Sequence, residues 1–203
     1  METREKITIL LLLLSLILAL LPLTANRSFR GSPSRLLDEV LSDETYFSSD
    51  QVAGFIVKET PDIQLFDLRP AEKYREAFIP GAVSVPYADF ITSDPDIWLR
   101  DSTRRMILYS ADGIESAAAM VYARGLGYDN TYFLKGGIDE WVKTISATEF
   151  EGERITAGEN AILETRRRAA DMYNELRSLP DSLKAKYLES KKFSARKLDG
   201  GCQ

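Results

Sequence analysis

The chain of 203 residues has no histidine and one cysteine, Cys202. Without imidazole there is no commonest general base, no Ser-His-Asp type of triad and no commonest metal ligand. A single thiol builds neither an internal disulfide nor a thiolate zinc site. A basic excess is also missing. The 26 Lys and Arg stand against 31 Asp and Glu, and the resulting charge of -5 speaks against nucleic acid as a partner. No internal repeat occurs, and no motif calls for a cofactor or a metal. What is there is ordinary for a globular protein: 44% hydrophobic and 28% charged residues, with length for one domain plus tails.

The longest apolar run is N-terminal. Residues 7–23 carry no charge, and Thr8, Ser15 and Pro22 are its only interruptions. As a helix the run would span roughly 25 Å, against a bilayer core of about 30 Å. Two readings stand: a retained signal-anchor, or a signal peptide cut after Ala25. Arg4 and Lys6 before the run and Arg27, Arg30 and Arg35 after it leave the charge rule for orientation undecided. Either reading puts the rest of the chain across a membrane, as a single-pass protein with an extracytoplasmic domain or as a secreted or periplasmic one.

The pattern divides the chain into an anchor or signal (1–25), a linker with a short helix over 34–41 (26–44), a globular domain (45–147) and a helical extension with a basic tail (148–203). Ser48 reads as an N-cap. Short apolar runs at 63–68, 81–86, 105–109 and 131–134 read as strands. Helical patterns lie between them, at 51–57, 72–76 and 116–125, and another follows Gly136 and Gly137 and carries Trp141. Strands alternating with helices predict an α/β fold with a parallel sheet covered on both faces. Over 157–179, Ile162, Ala169, Met172, Tyr173 and Leu176 form a stripe, Arg166, Arg167 and Arg168 lie largely opposite, and Pro180 ends the helix. A short helix over 181–189 and a lysine-rich, solvated tail follow.

From Asp67 to Pro86 the chain holds Asp67, Arg69, Glu72, Tyr74, Ile79, Pro80, Gly81 and Ala82 in a register that resembles the first signature of the rhodanese family. Ala77 and Phe78 depart from it, standing where the family has glycine and histidine. The strand ending at Tyr109, the turn at 127–130, Gly136, Gly137 and Trp141 resemble the family's second half. The resemblance covers about 45–147 and implies a rhodanese-like parallel sheet flanked by helices. Asp67 and Arg69 are then supporting residues at a strand end, with Asp67 accepting loop amides and Arg69 pairing with Glu72 or Glu76.

In active rhodaneses the loop after the third of these strands begins with a cysteine that takes up sulfur as a persulfide, beneath amides at the start of a helix. The aligned loop here is Ser110, Ala111, Asp112, Gly113, Ile114 and Glu115, with Ser116 opening the helix. An alcohol carries no persulfide, and it needs a neighbouring base to become a nucleophile. Asp112 and Glu115 are weak bases near neutral pH. Ala111 and Glu115 occupy positions that often hold basic residues, and the two acids would repel an anionic sulfur donor. The expectation is therefore an inactive site that binds an unknown protein or a small ligand, possible cation or basic peptide included. The rival is a sulfurtransferase that uses Cys202 or a partner's cysteine.

Overall fold

The computed structural model describes residues 42–146 and 156–180, with helical residues at 7, 10–13, 15, 38, 182–184 and 186–187. Most of the run 7–23, the segment 34–41 and the tail with Cys202 lie outside the described residues. Among the described residues no helix is long and apolar enough to cross a membrane.

Five strands form one parallel sheet. They are β1 (Tyr46–Phe47), β2 (Ile63–Asp67), β3 (Val83–Ser84), β4 (Arg105–Tyr109) and β5 (Thr131–Leu134), in the order β1-β5-β4-β2-β3. The helices are α1 (Ser49–Val57), α2 (Ala71–Glu76), α3 (Tyr87–Thr92), α4 (Asp96–Leu99), α5 (Ile114–Gly125), α6 (Gly137–Ser146) and α7 (Ala157–Ser178). Ser48 caps α1 as expected. Its hydroxyl accepts the Gln51 amide, while the Gln51 side chain accepts the Ser48 amide.

The central strands β2 and β4 are apolar on both sides, which suits a sheet covered on both faces. One face carries Leu65, Ile107, Tyr109 and Leu134 against α1, α2, α6 and α7. The other carries Phe66, Met106, Leu108 and Phe133 against α3, α4 and α5. Small residues at Ala119 and Ala123 let α5 lie close to the sheet.

The predicted strands at 105–109 and 131–134 and the helix ending at Pro180 match the structure within a residue. The predicted strand over 81–86 shrinks to two residues, because Gly81 takes a φ of +84° and Pro86 supplies no amide for a ladder. β1, α3 and α4 went unread, since elements of two to six residues carry too little periodicity. The extension helix belongs to the domain core: Ala169 and Tyr173 are buried, and the Tyr173 ring meets Trp141 edge-on at 5.5 Å. Ile162, assigned to the apolar stripe, is 45% exposed because it lies in the turns of α7 that run past the core. Arg166 is not on an outer face either. It makes a two-pronged ion pair with Asp50 of α1 at 2.7 and 2.8 Å, while Arg167 and Arg168 bond Glu164 on the solvent side.

Candidate functional site: the loop after β4

The C-terminal ends of parallel strands are where ligands of open α/β sheets gather. Here Asp67, Ser84, Tyr109 and Leu134 end their strands together, and Ser110 begins the loop. Asp67 is fully buried. Its carboxylate accepts the Arg69 amide at 3.0 Å and the Arg69 guanidinium at 3.0 and 2.6 Å. The expected partners Glu72 and Glu76 are exposed and bond Arg75 and Lys73 instead. Arg69 turns inward because a buried carboxylate left alone would cost several kcal/mol. Its Nη2 also donates to the carbonyl of Ala77 at 2.7 Å, so the residue that replaces the family's glycine serves through its backbone.

Tyr109 completes this cluster, and the sequence did not flag it. Its hydroxyl accepts the Ile79 amide at 3.2 Å and bonds Asp67, and the guanidinium of Arg69 lies 5.9 Å from its ring centre. Burial, and then the Asp67 charge, push its phenol well above the ordinary tyrosine range. Phe78, in the family's histidine position, is buried and stacked on Tyr74 at 4.6 Å.

The Ser110 side chain is 1% exposed and turned into its own loop. Its Oγ accepts the Gly113 amide at 3.1 Å and the Ser116 amide at 3.4 Å, and donates to Ser116 Oγ at 3.4 Å. Ser116 Oγ in turn donates to the Gly113 carbonyl at 3.0 Å. The α5 helix begins at Ile114, two residues before the predicted Ser116, because Gly113 reaches a φ of +92° and starts the turn early. The loop carbonyls are held too: Ser110 and Ala111 accept the amides of Ile138 and Asp139 at 3.0 and 3.1 Å, at the start of α6. Gly137 makes that approach possible. A Cβ there would overlap the backbone of Ser110 and Ala111. The glycine pair in the sequence signalled a turn, and its real role is this contact.

Ala111, Asp112, Ile114 and Glu115 all face solvent, with Ile114 71% exposed. The Asp112 carboxylate is occupied by the Ile114 amide at 3.0 Å. So the loop offers a buried, hydrogen-bonded alcohol beneath two amides and an acidic outer rim. The structure brings Asp67, Arg69, Tyr109 and the 110–116 loop to one end of the sheet. Cys202 lies outside the described residues.

Residues 56–144 match the family model for the rhodanese-like domain, so the chain contains a domain of that class. Among curated proteins it is similar to a thiosulfate:glutathione sulfurtransferase of Saccharomyces cerevisiae, 29% identical over 106 residues, covering 47% of this chain and 76% of that protein. It is also similar to a tRNA uridine(34) hydroxylase of Hamiltonella defensa, 29% identical over 121 residues, or 54% of this chain and only 34% of that one. Among solved structures, a Rhodopseudomonas palustris protein of unknown function, described as a possible tyrosine phosphatase, matches with a TM-score of 0.46 at 22% identity, over 56% of this chain and 90% of that one. A human single-domain sulfurtransferase matches with a TM-score of 0.40 at 21% identity, over 49% and 96%.

Proposed function

We propose that this chain is a rhodanese-like module without sulfurtransferase activity of its own, tethered to a membrane by residues 7–23 and acting as a binding or regulatory domain for a protein or small ligand. The observation that carries the reading is the Ser110 hydroxyl, buried and bonded to the Gly113 and Ser116 amides. In this reading Ser110 stands at the family's nucleophile position, and its oxygen fills the amide cradle that a sulfur anion would need. An alcohol there forms no persulfide, and the chain has no imidazole to deprotonate it. Asp112 is engaged elsewhere by the Ile114 amide. Asp112 and Glu115 at the rim oppose an anionic donor by about 1 kcal/mol each at contact range in water. The acidic rim suits a cationic ligand or a basic peptide better than thiosulfate.

A thiosulfate–cyanide assay on the full chain tests this. No turnover is expected. Turnover that Ser110→Ala abolishes would overturn the reading. The second reading, sulfur transfer through Cys202 or a partner's cysteine, draws on the similarity to the yeast sulfurtransferase. It wins if turnover appears and Cys202→Ala removes it. Ser110→Cys alone should restore little activity; adding Ala111→Arg and Glu115→Lys should raise it. The tether is tested by the mass of the mature N-terminus and by retention in carbonate-washed membranes.

A further inference from the structure

At the opposite end of the sheet, a groove of about 590 Å³ opens between α1, α7 and the approach to β3. Phe55 and Met172 come from the helices, Ile63 and Leu65 from β2, and Pro80 and Val83 from the approach to β3. The groove exists because β3 is so short. It pairs only with Phe66 and Asp67, so residues 63–65 of β2 have β4 on one side and no strand among the described residues on the other. Such an open edge is a template for an extended segment, with main-chain hydrogen bonds supplying the fit.

Tyr187 also lines the groove. Its ring stacks on Phe78 at 6.0 Å and its hydroxyl meets the backbone of Gly81. Lys184 reaches back to the Glu76 carbonyl at 3.4 Å. The chain therefore arrives at the groove directed along its wall. The next residues are Leu188, Glu189, Ser190, Lys191, Lys192 and Phe193. Six residues extend about 20 Å, enough to run along the open edge. Their charges complement the walls. Glu59, which ends α1 with a φ of +48°, faces a segment carrying Lys191 and Lys192, and Arg104 faces one carrying Glu189.

We propose that residues 188–193 of this same chain occupy the groove as an extended segment along the open edge of β2, with Leu188 and Phe193 against its apolar walls. The C-terminal region is then a strap that closes the end of the sheet opposite the Ser110 loop. It covers a strand edge that would otherwise invite pairing with another chain.

Hydrogen exchange of the full chain tests the strap. In Leu188→Ser/Phe193→Ser, exchange over 63–65 should rise about tenfold while 105–109 stays unchanged. Lys191→Glu/Lys192→Glu should raise it as well, and adding Glu59→Lys should bring it back to within about twofold of wild type. Equal exchange in wild type and tail variants overturns the proposal. Protection of 63–65 that grows with protein concentration makes the occupant a second copy and also overturns it. The tail variants lie outside the domain core, so a change at 63–65 with 105–109 intact reports the groove rather than unfolding.

Discussion

At the C-terminal ends of the strands, the Ser110 hydroxyl, the carbonyls of Ser110 and Ala111 and the Asp67 carboxylate all find partners inside the protein. At the N-terminal ends, a cavity of about 590 Å³ lies beside an unpaired stretch of β2. The first end is where the fold usually meets its ligands, and here the chain has filled it with its own polar groups. The difference shows that occupancy of a site is decided by side-chain chemistry on top of topology. One hydroxyl in place of a large, polarisable thiolate lets the loop satisfy its own amides. A strand two residues long leaves open what a longer one would close.

If that contrast is right, substitutions at the loop end cost more than substitutions at the groove end. The largest effect is expected for Arg69→Ala, which strands the fully buried Asp67 carboxylate. About 3–5 kcal/mol should be lost, read by denaturant unfolding. If Arg69→Ala costs under about 1 kcal/mol, the loop end is not held by this pair.

Tyr109→Phe should follow, at about 1–3 kcal/mol, because it removes the acceptor of the Ile79 amide and a partner of Asp67. This residue also predicts a pH dependence. Its folded pKa is raised, by burial first and then by the Asp67 charge. Its contribution is therefore complete below the unfolded value of about 10 and is lost as pH climbs above it. Wild-type stability should fall in that alkaline window, and Tyr109→Phe should flatten the fall. Tyr74, also raised by burial, keeps the slope from vanishing.

Ser110→Ala should cost about 1–2 kcal/mol, since the buried amides of Gly113 and Ser116 lose their acceptor. A thermal melt of the variant against wild type checks this. A neutral or stabilising result would mean the loop amides have other partners, and the filled-cradle argument fails. The smallest effect is expected at the groove. Gln64→Ala, which removes only the amide bond to the Leu65 carbonyl, should cost less than about 1 kcal/mol. A cost equal to that of Tyr109→Phe would erase the difference between the two ends.

Much of the fold was legible in the sequence because it is written in local terms. The apolar runs of β4 and β5, the Ser48 cap with Gln51 three residues on, and the proline that stops α7 act within a few residues. The loop's chemistry was legible too: an alcohol at Ser110, acids at Asp112 and Glu115, and an absence of histidine are facts of composition. The Arg69 partner was misread because Glu72 and Glu76 are close in sequence, whereas burial decides the pairing. No local signal gave Tyr109 its bond to Ile79, thirty residues away, or Arg166 its pair with Asp50 across 116 residues.

The sequence by itself determined the alternation of strand and helix, the rhodanese-like register from Asp67 to Pro86, and the side-chain chemistry at position 110. Only the tertiary structure decided where the polar groups went: Arg69 inward to Asp67, Ser110 beneath its own loop amides, and α7 onto α1 and α6. The physical reason is desolvation. A charge or hydroxyl removed from water must find a partner wherever packing has put one, and chain order does not record that place.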